Sequence, residues 1–177
     1  MKKILFSIAI VVAGLLVASC GNKSAANGEG ADSTTVAEGL PEGFVHYEGG
    51  LYSFDCPEAL SKSGTNDTIY LCNAPDRKAS LYVHWAIDQK TVDDGLQKMA
   101  DRMLRMNSDQ EIVQQPKIEG NLLTFRFKDT DKGRTDAHFY LIGEGGKIVY
   151  GNMSYNTEVE AQYAPTFEPF VKSLILK

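Results

Sequence analysis

The chain has 177 residues, 23% of them charged, with 18 Lys and Arg against 23 Asp and Glu and a formal net charge of −5. That acidic balance argues against a nucleic-acid partner and against electrostatic docking on anionic lipid. Three cysteines, an odd number, leave one unpaired wherever cysteines oxidise.

Lys2 and Lys3 precede an apolar run from Ile4 to Ala18 that is broken only by Ser7 and Gly14. A basic start, a short apolar core and small residues before a cut site predict an export signal over residues 1–19. The run falls short of the roughly 20 apolar residues of a good spanning helix. Its end, Leu16-Val17-Ala18-Ser19-Cys20, resembles the lipobox of bacterial lipoproteins. The resemblance implies cleavage before Cys20, lipid on its sulfur and a chain held on a membrane by several acyl groups. One chain binds only marginally, whereas several hold firmly. Gly21 in place of an Asp, and no acidic cluster after it, point to the outer membrane facing the periplasm. Lipidation of Cys20 leaves Cys56 and Cys72 as an even pair, expected to be a disulfide outside the cytoplasm. Loss of Lys2 and Lys3 with the signal takes the net charge from −5 to −7.

Residues 20–43 are rich in Gly, Ser, Ala, Asn, Thr and Glu, with Val36 and Leu40 the only bulky apolar side chains. Such a composition cannot offset its ordering entropy and predicts a flexible tether reaching on the order of 25 Å. Residues 44–177 form one domain of ordinary size.

Phe44 to Glu48 and Leu51 to Cys56 flank Gly49-Gly50 and read as a hairpin. Thr68 to Cys72 and Ala79 to Ile87 flank a turn with Pro75 and Asp76, and the second run alternates with period two. A helix is predicted from Val92 to Met106, capped by Thr91, with Asp93 and Asp94 in its first turn. Val92, Leu96, Met99, Met103 and Met106 would form its apolar stripe. Strands follow at Glu111 to Gln115, Leu122 to Lys128, Thr135 to Ile142 and Lys147 to Tyr155. Thr157 with Glu160 makes a capping box for a closing helical segment, interrupted at Pro165, with Phe167, Phe170, Val171 and Leu174 facing inward. The fold class is α+β: an antiparallel sheet of six to eight strands packed with two helices.

The phrase Gly50-Leu51-Tyr52-Ser53-Phe54-Asp55-Cys56-Pro57, the element order after it and a terminal Phe167-Glu168-Pro169-Phe170-Val171-Lys172-Ser173-Leu174 resemble the Mog1/PsbP-like fold. That resemblance implies a sandwich of that type and a non-enzymatic module that binds a protein segment or small hydrophobe against its sheet. It also implies that copies of the chain can self-associate as a homodimer. It transfers no catalytic residues.

The residues themselves add little chemistry. His46, His84 and His138 sit mid-strand, and no spacing typical of a metal site, nucleophile elbow or phosphate loop occurs. No catalytic residue, metal or cofactor is therefore expected. Ser61-Lys62-Ser63 reads as a polar surface turn, Asp129 to Gly133 as a charged turn, and Gly143 to Gly146 as another. Tyr82, His84, His138 and Tyr140 fall opposite the apolar rows and make the candidate binding face for a protein or peptide. A hydrophobic small-molecule carrier, or a hydrolase acting on envelope material, are the alternatives.

Overall fold

The computed structural model describes residues 42–177, so the expectations for the export signal, Cys20 and most of the tether lie outside the described residues. Ten strands, β1 (Phe44–Glu48), β2 (Tyr52–Pro57), β3 (Ser61–Thr65), β4 (Ile69–Asn73), β5 (Ala79–Ile87), β6 (Glu111–Glu119), β7 (Leu122–Asp129), β8 (Arg134–Ile142), β9 (Lys147–Asn156) and β10 (Ile175–Leu176), build two sheets. The larger runs β3-β4-β5-β9-β8-β7-β6 and the smaller β1-β2-β10, all pairs antiparallel. Helix α1 (Gln89–Met106) lies on one face of the large sheet. The small sheet and the terminal helices α2 (Glu160–Tyr163) and α3 (Phe167–Ser173) lie on the other.

Period-two alternation decides the two faces. The inner face carries cross-strand rows such as Thr124–Phe139–Gly151–Val83–Tyr70 and Arg126–Ala137–Met153–Leu81–Cys72. Phe170 of α3 joins three layers there. Its ring stands edge-on to Phe54 of β2 at 5.4 Å and to Phe139 of β8 at 5.3 Å. Fully buried aromatics of this kind dominate the free energy of a core.

Several sequence expectations are corrected. The second, three-stranded sheet was not foreseen as separate, nor was β10. Ser61–Thr65 is a strand rather than a turn, fully exposed and held to β4 by its backbone, which no hydrophobic pattern could announce. Strand β6 continues through Pro116, because an edge strand tolerates a residue with no N–H and the register shifts around it. Helix α1 begins earlier than predicted. Asp88 caps it by accepting from the Thr91 N–H at 3.0 Å, so Asp93 and Asp94 fall beyond the first turn. Gly95 breaks it with φ 77° and ψ 164°, a region that glycine alone enters freely. The break shifts the helical phase, burying Thr91 rather than Val92, and Met106 is exposed. The capping box at Thr157 does not form, since that hydroxyl donates instead to the Gly133 carbonyl at 3.1 Å.

Cys56 and Cys72 are a further correction. The two sheets bring their Sγ atoms to 3.6 Å, as two buried free thiols and not a disulfide. A bond would need a separation of about 2.05 Å. The neighbouring Cys56 thiol and burial push the Cys72 thiol upward, so it stays protonated.

Gly151 sits mid-row where a side chain cannot fit: a Cβ there would lie 1.9 Å from the Tyr82 carbonyl oxygen and 3.1 Å from the Phe139 ring. Gly151→Ala should therefore cost about 3 kcal/mol or more in urea unfolding. A loss below about 1 kcal/mol would show that the strand can shift without penalty.

At the outer edge of the small sheet, His46 lies between two carboxylates, Nδ1 at 2.8 Å from Asp55 and Nε2 at 3.0 Å from Glu48. Glu48 also meets Lys177, whose backbone N–H donates to the Leu51 carbonyl at 3.1 Å. Asp55 first, then Glu48, raise the His46 pKa above its ordinary value. A raised folded-state pKa stabilises fully below the unfolded pKa near 6.5, and that gain is lost as pH rises through the folded value. His46→Gln should thus cost on the order of 0.5–1 kcal/mol at about pH 5.5 and close to nothing at about pH 8.5. Equal losses at both pH values would refute this linkage.

Candidate binding face and groove

The outer face of the large sheet is ordered by its strand register into three parallel rows. The first runs Leu123–Tyr140–Tyr150–His84–Ile69, the second Phe125–His138–Asn152–Tyr82–Leu71, the third Phe127–Asp136–Ser154–Ser80–Asn73. Each passes from large apolar side chains on β7 to smaller or polar ones on β9 and β5. Leu96, Met99 and Ala100 of α1 bury Leu123, Phe125 and Phe127, with Tyr140 and Ile142 at their margin. Beyond that margin, Tyr82, His84, Tyr150 and Asn152 are half-buried.

The first two rows form an aromatic ladder. Phe125 stacks on Tyr140 at 6.2 Å and Tyr140 on Tyr150 at 5.7 Å, within 8° of parallel. His84 follows at 5.0 Å from Tyr150 and joins its hydroxyl through Nδ1 at 2.7 Å. Tyr82 lies 6.1 Å beyond. Burial pushes the hydroxyls of Tyr140 and Tyr150 above their ordinary range, so both remain neutral donors.

Where α1 ends its cover, a groove of about 430 Å³ opens between helix and sheet. Met99, Met103 and Met106 form its helix side and Ala86, Ile87, Tyr140 and Tyr150 its sheet side, with Asp88 and Arg102 also in its lining. Ile87 is 67% exposed and Met106 68%. Methionine suits such a wall, being unbranched and able to repack against different shapes.

Of the four residues predicted for this face, Tyr82, His84 and Tyr140 do lie together, joined through Tyr150. His138 joins the ladder at its β7 end and not beside the other three: its ring stacks on Phe125 at 5.0 Å, and desolvation lowers its pKa. Tyr150, Ile87 and Met106 were missed as site residues, although the alternation Ile148, Tyr150, Asn152, Ser154 in β9 places Tyr150 on this face. A polar cluster closes the third row. Ser154 donates to Asp136, Asn152 donates to the Ser154 hydroxyl at 2.6 Å, and Arg134 pairs with Asp136 at 2.9 Å. Among the described residues no histidine is hydrogen-bonded to a serine hydroxyl, and no cluster of His, Cys, Asp and Glu has the makings of a metal site.

Solved structures similar to this chain include two from distant sources. The solution structure of cyanobacterial PsbP (CyanoP) from Synechocystis sp. PCC 6803 aligns with a TM-score of 0.54 at 12% identity, over 81% of this chain and 98% of that one. The Ran-binding protein Mog1p of Saccharomyces cerevisiae aligns with a TM-score of 0.52 at 11% identity, over 72% of this chain and 90% of that one. The fold is Mog1/PsbP-like. No family model matches the sequence, and no curated protein does. At these identities the likeness establishes the architecture of the Mog1/PsbP-like domain and leaves its ligand to its own surface.

The histidines of the Mog1/PsbP-like domain should titrate in a fixed order. By NMR, His46 should titrate above about 6.5 and His138 below it. The reverse order would contradict the burial of His138. Removing the hydroxyl that meets His84, by Tyr150→Phe, should cost about 1 kcal/mol in urea unfolding. No measurable cost would mean that the bond to His84 is not formed in solution.

Proposed function

We propose that this chain is a lipid-anchored envelope protein whose Mog1/PsbP-like domain binds a protein partner without catalysing a reaction. An apolar segment of that partner lies in the groove between α1 and the sheet. The observation that carries this reading is the pair of exposed apolar side chains, Ile87 and Met106, at a groove floored by the Tyr140–Tyr150 stack. Exposed large apolar side chains around an aromatic floor mark interaction sites on soluble domains. A fold neighbour that is by name a Ran-binding protein is compatible with such a role.

The anchor is Cys20, following the lipobox-like residues Leu16 to Ser19, and the proposed place is the outer membrane, facing the periplasm. Residues 20–43 then act as a tether that frees the domain from the headgroups. Export would expose Cys56 and Cys72 to an oxidising compartment.

Cys20→Ser should release the protein from membranes into the soluble fraction, and continued retention would refute the anchor. For the groove, the test is affinity capture from envelope extract with wild type and with the double variant Ile87→Lys, Met106→Lys. Because both side chains are largely exposed, the double variant should melt as wild type does, within about 0.5 kcal/mol per site. It should lose the captured partner. Undiminished capture by the double variant would overturn this use of the groove.

A further inference from the structure

A second groove, of about 440 Å³, lies between β6, β7 and α3, beside the inner face of the sheet. Its volume falls in the range of small-molecule sites, roughly 300–1,000 Å³. Its walls are of two kinds. Leu122, Pro116, Phe167 and Val171 supply apolar surface, while Lys117, Lys172 and Arg126 supply positive charge.

The three cations are not equivalent. Lys117 is taken by Glu119 at 2.8 Å and Lys172 by Glu168 at 2.7 Å. Arg126 has no carboxylate partner among the described residues. Its guanidinium lies over the Phe167 ring at 5.2 Å, and its Nε is buried with no hydrogen-bond partner. The Thr135 hydroxyl, in the next inner row, is likewise buried without a partner, while the hydroxyl of its cross-strand partner Tyr155 lies beside the Arg126 guanidinium. A guanidinium offers five donors in a planar fork that matches a carboxylate, and a buried donor left unpaired is costly. Thus a ring-stacked arginine with no carboxylate partner stands in a half-apolar groove whose other charges cancel.

We propose that this groove binds a small amphipathic acid, with its carboxylate on Arg126 and its apolar chain on Phe167, Val171, Leu122 and Pro116. The site lies apart from the α1 groove, and the proposal does not rest on the protein-binding reading.

The experiment is an NMR titration of the full mature chain with decanoate below its micelle concentration, with decanol and acetate as parallel probes. Decanoate should give saturable shifts at Gln114, Lys117, Thr124 and Arg126. Decanol, which lacks the charge, and acetate, which lacks the chain, should each bind at least tenfold more weakly. Arg126→Gln should weaken decanoate at least tenfold while leaving the shifts at Tyr140 and Tyr150 unchanged. Should that variant not fold, the ratio of decanoate to decanol affinity on the wild type decides. Equal affinities for decanoate and decanol, or shifts confined to the α1 groove, would overturn the proposal. Decanoate binding also leaves partner capture by the α1 groove to be judged on its own.

Discussion

Strands in a sheet lie about 4.8 Å apart, so seven of them span on the order of 30 Å, whereas one helix with its side chains is about 10–12 Å across. A single helix can therefore cover only two or three strands of this sheet. Helix α1 buries Leu123, Phe125 and Phe127 of β7 and leaves Tyr82, His84, Tyr150 and Asn152 half-buried beyond it. The composition of the outer rows follows that mismatch, changing from Leu and Phe under the helix to Tyr, His, Asn and Ser beside it. The groove at Ile87 and Met106 is the step where the helix stops and the sheet continues.

The inner face meets the same shortage with two covers. The small sheet reaches β4, where Phe54 meets Tyr70 edge-on at 5.1 Å, and α3 reaches β8 through Phe170. Glycine at position 151 leaves the room that the Phe139 ring takes, which lets these covers close over one continuous core. Toward β7 the cover thins, and the inner row there carries Thr124, Arg126 and Lys128 in place of a third layer of Leu and Val. The second groove is the rim of that cover.

Much of the architecture was legible because the sheet is amphipathic. Ala79 to Ile87 alternates so regularly that its bounds match β5, and the inward set Phe167, Phe170, Val171 and Leu174 is buried as its helical spacing implies. Elements held by backbone pairing alone were not legible. Ser61–Thr65 has no apolar residue to pattern, and Ile175–Leu176 is too short to show a period. The start and phase of α1 depend on Asp88 and on the positive φ of Gly95, which a moment of apolar spacing does not register. Tyr82, His84 and Tyr140 were legible as a face, since period two fixes side. Period two puts Tyr150 on that face too, and register across β9 sets it between Tyr140 and His84. Arg126 was the least legible. In Leu122 to Lys128 the apolar residues alternate with Thr, Arg and Lys, which reads as a strand with a solvent side. Here that side is turned toward α3, and the arginine is held against Phe167.

Core packing and binding place different demands on these strands. The buried set, Leu81, Val83, Phe139, Met153 and their neighbours, needs only apolar volume at alternate positions, which many sequences supply. That requirement is loose enough for chains of 11–12% identity to share the architecture. Ile87, Met106, Tyr150 and Arg126 lie outside it. Nothing in core packing asks for an exposed methionine at a helix end, or for a guanidinium with no carboxylate partner over a ring. A lysine or glutamate at Met106 would serve solubility better, and a leucine at Arg126 would suit the neighbouring apolar wall. Because these residues work against the local demands of folding, the reason for them has to be sought in what the two grooves hold.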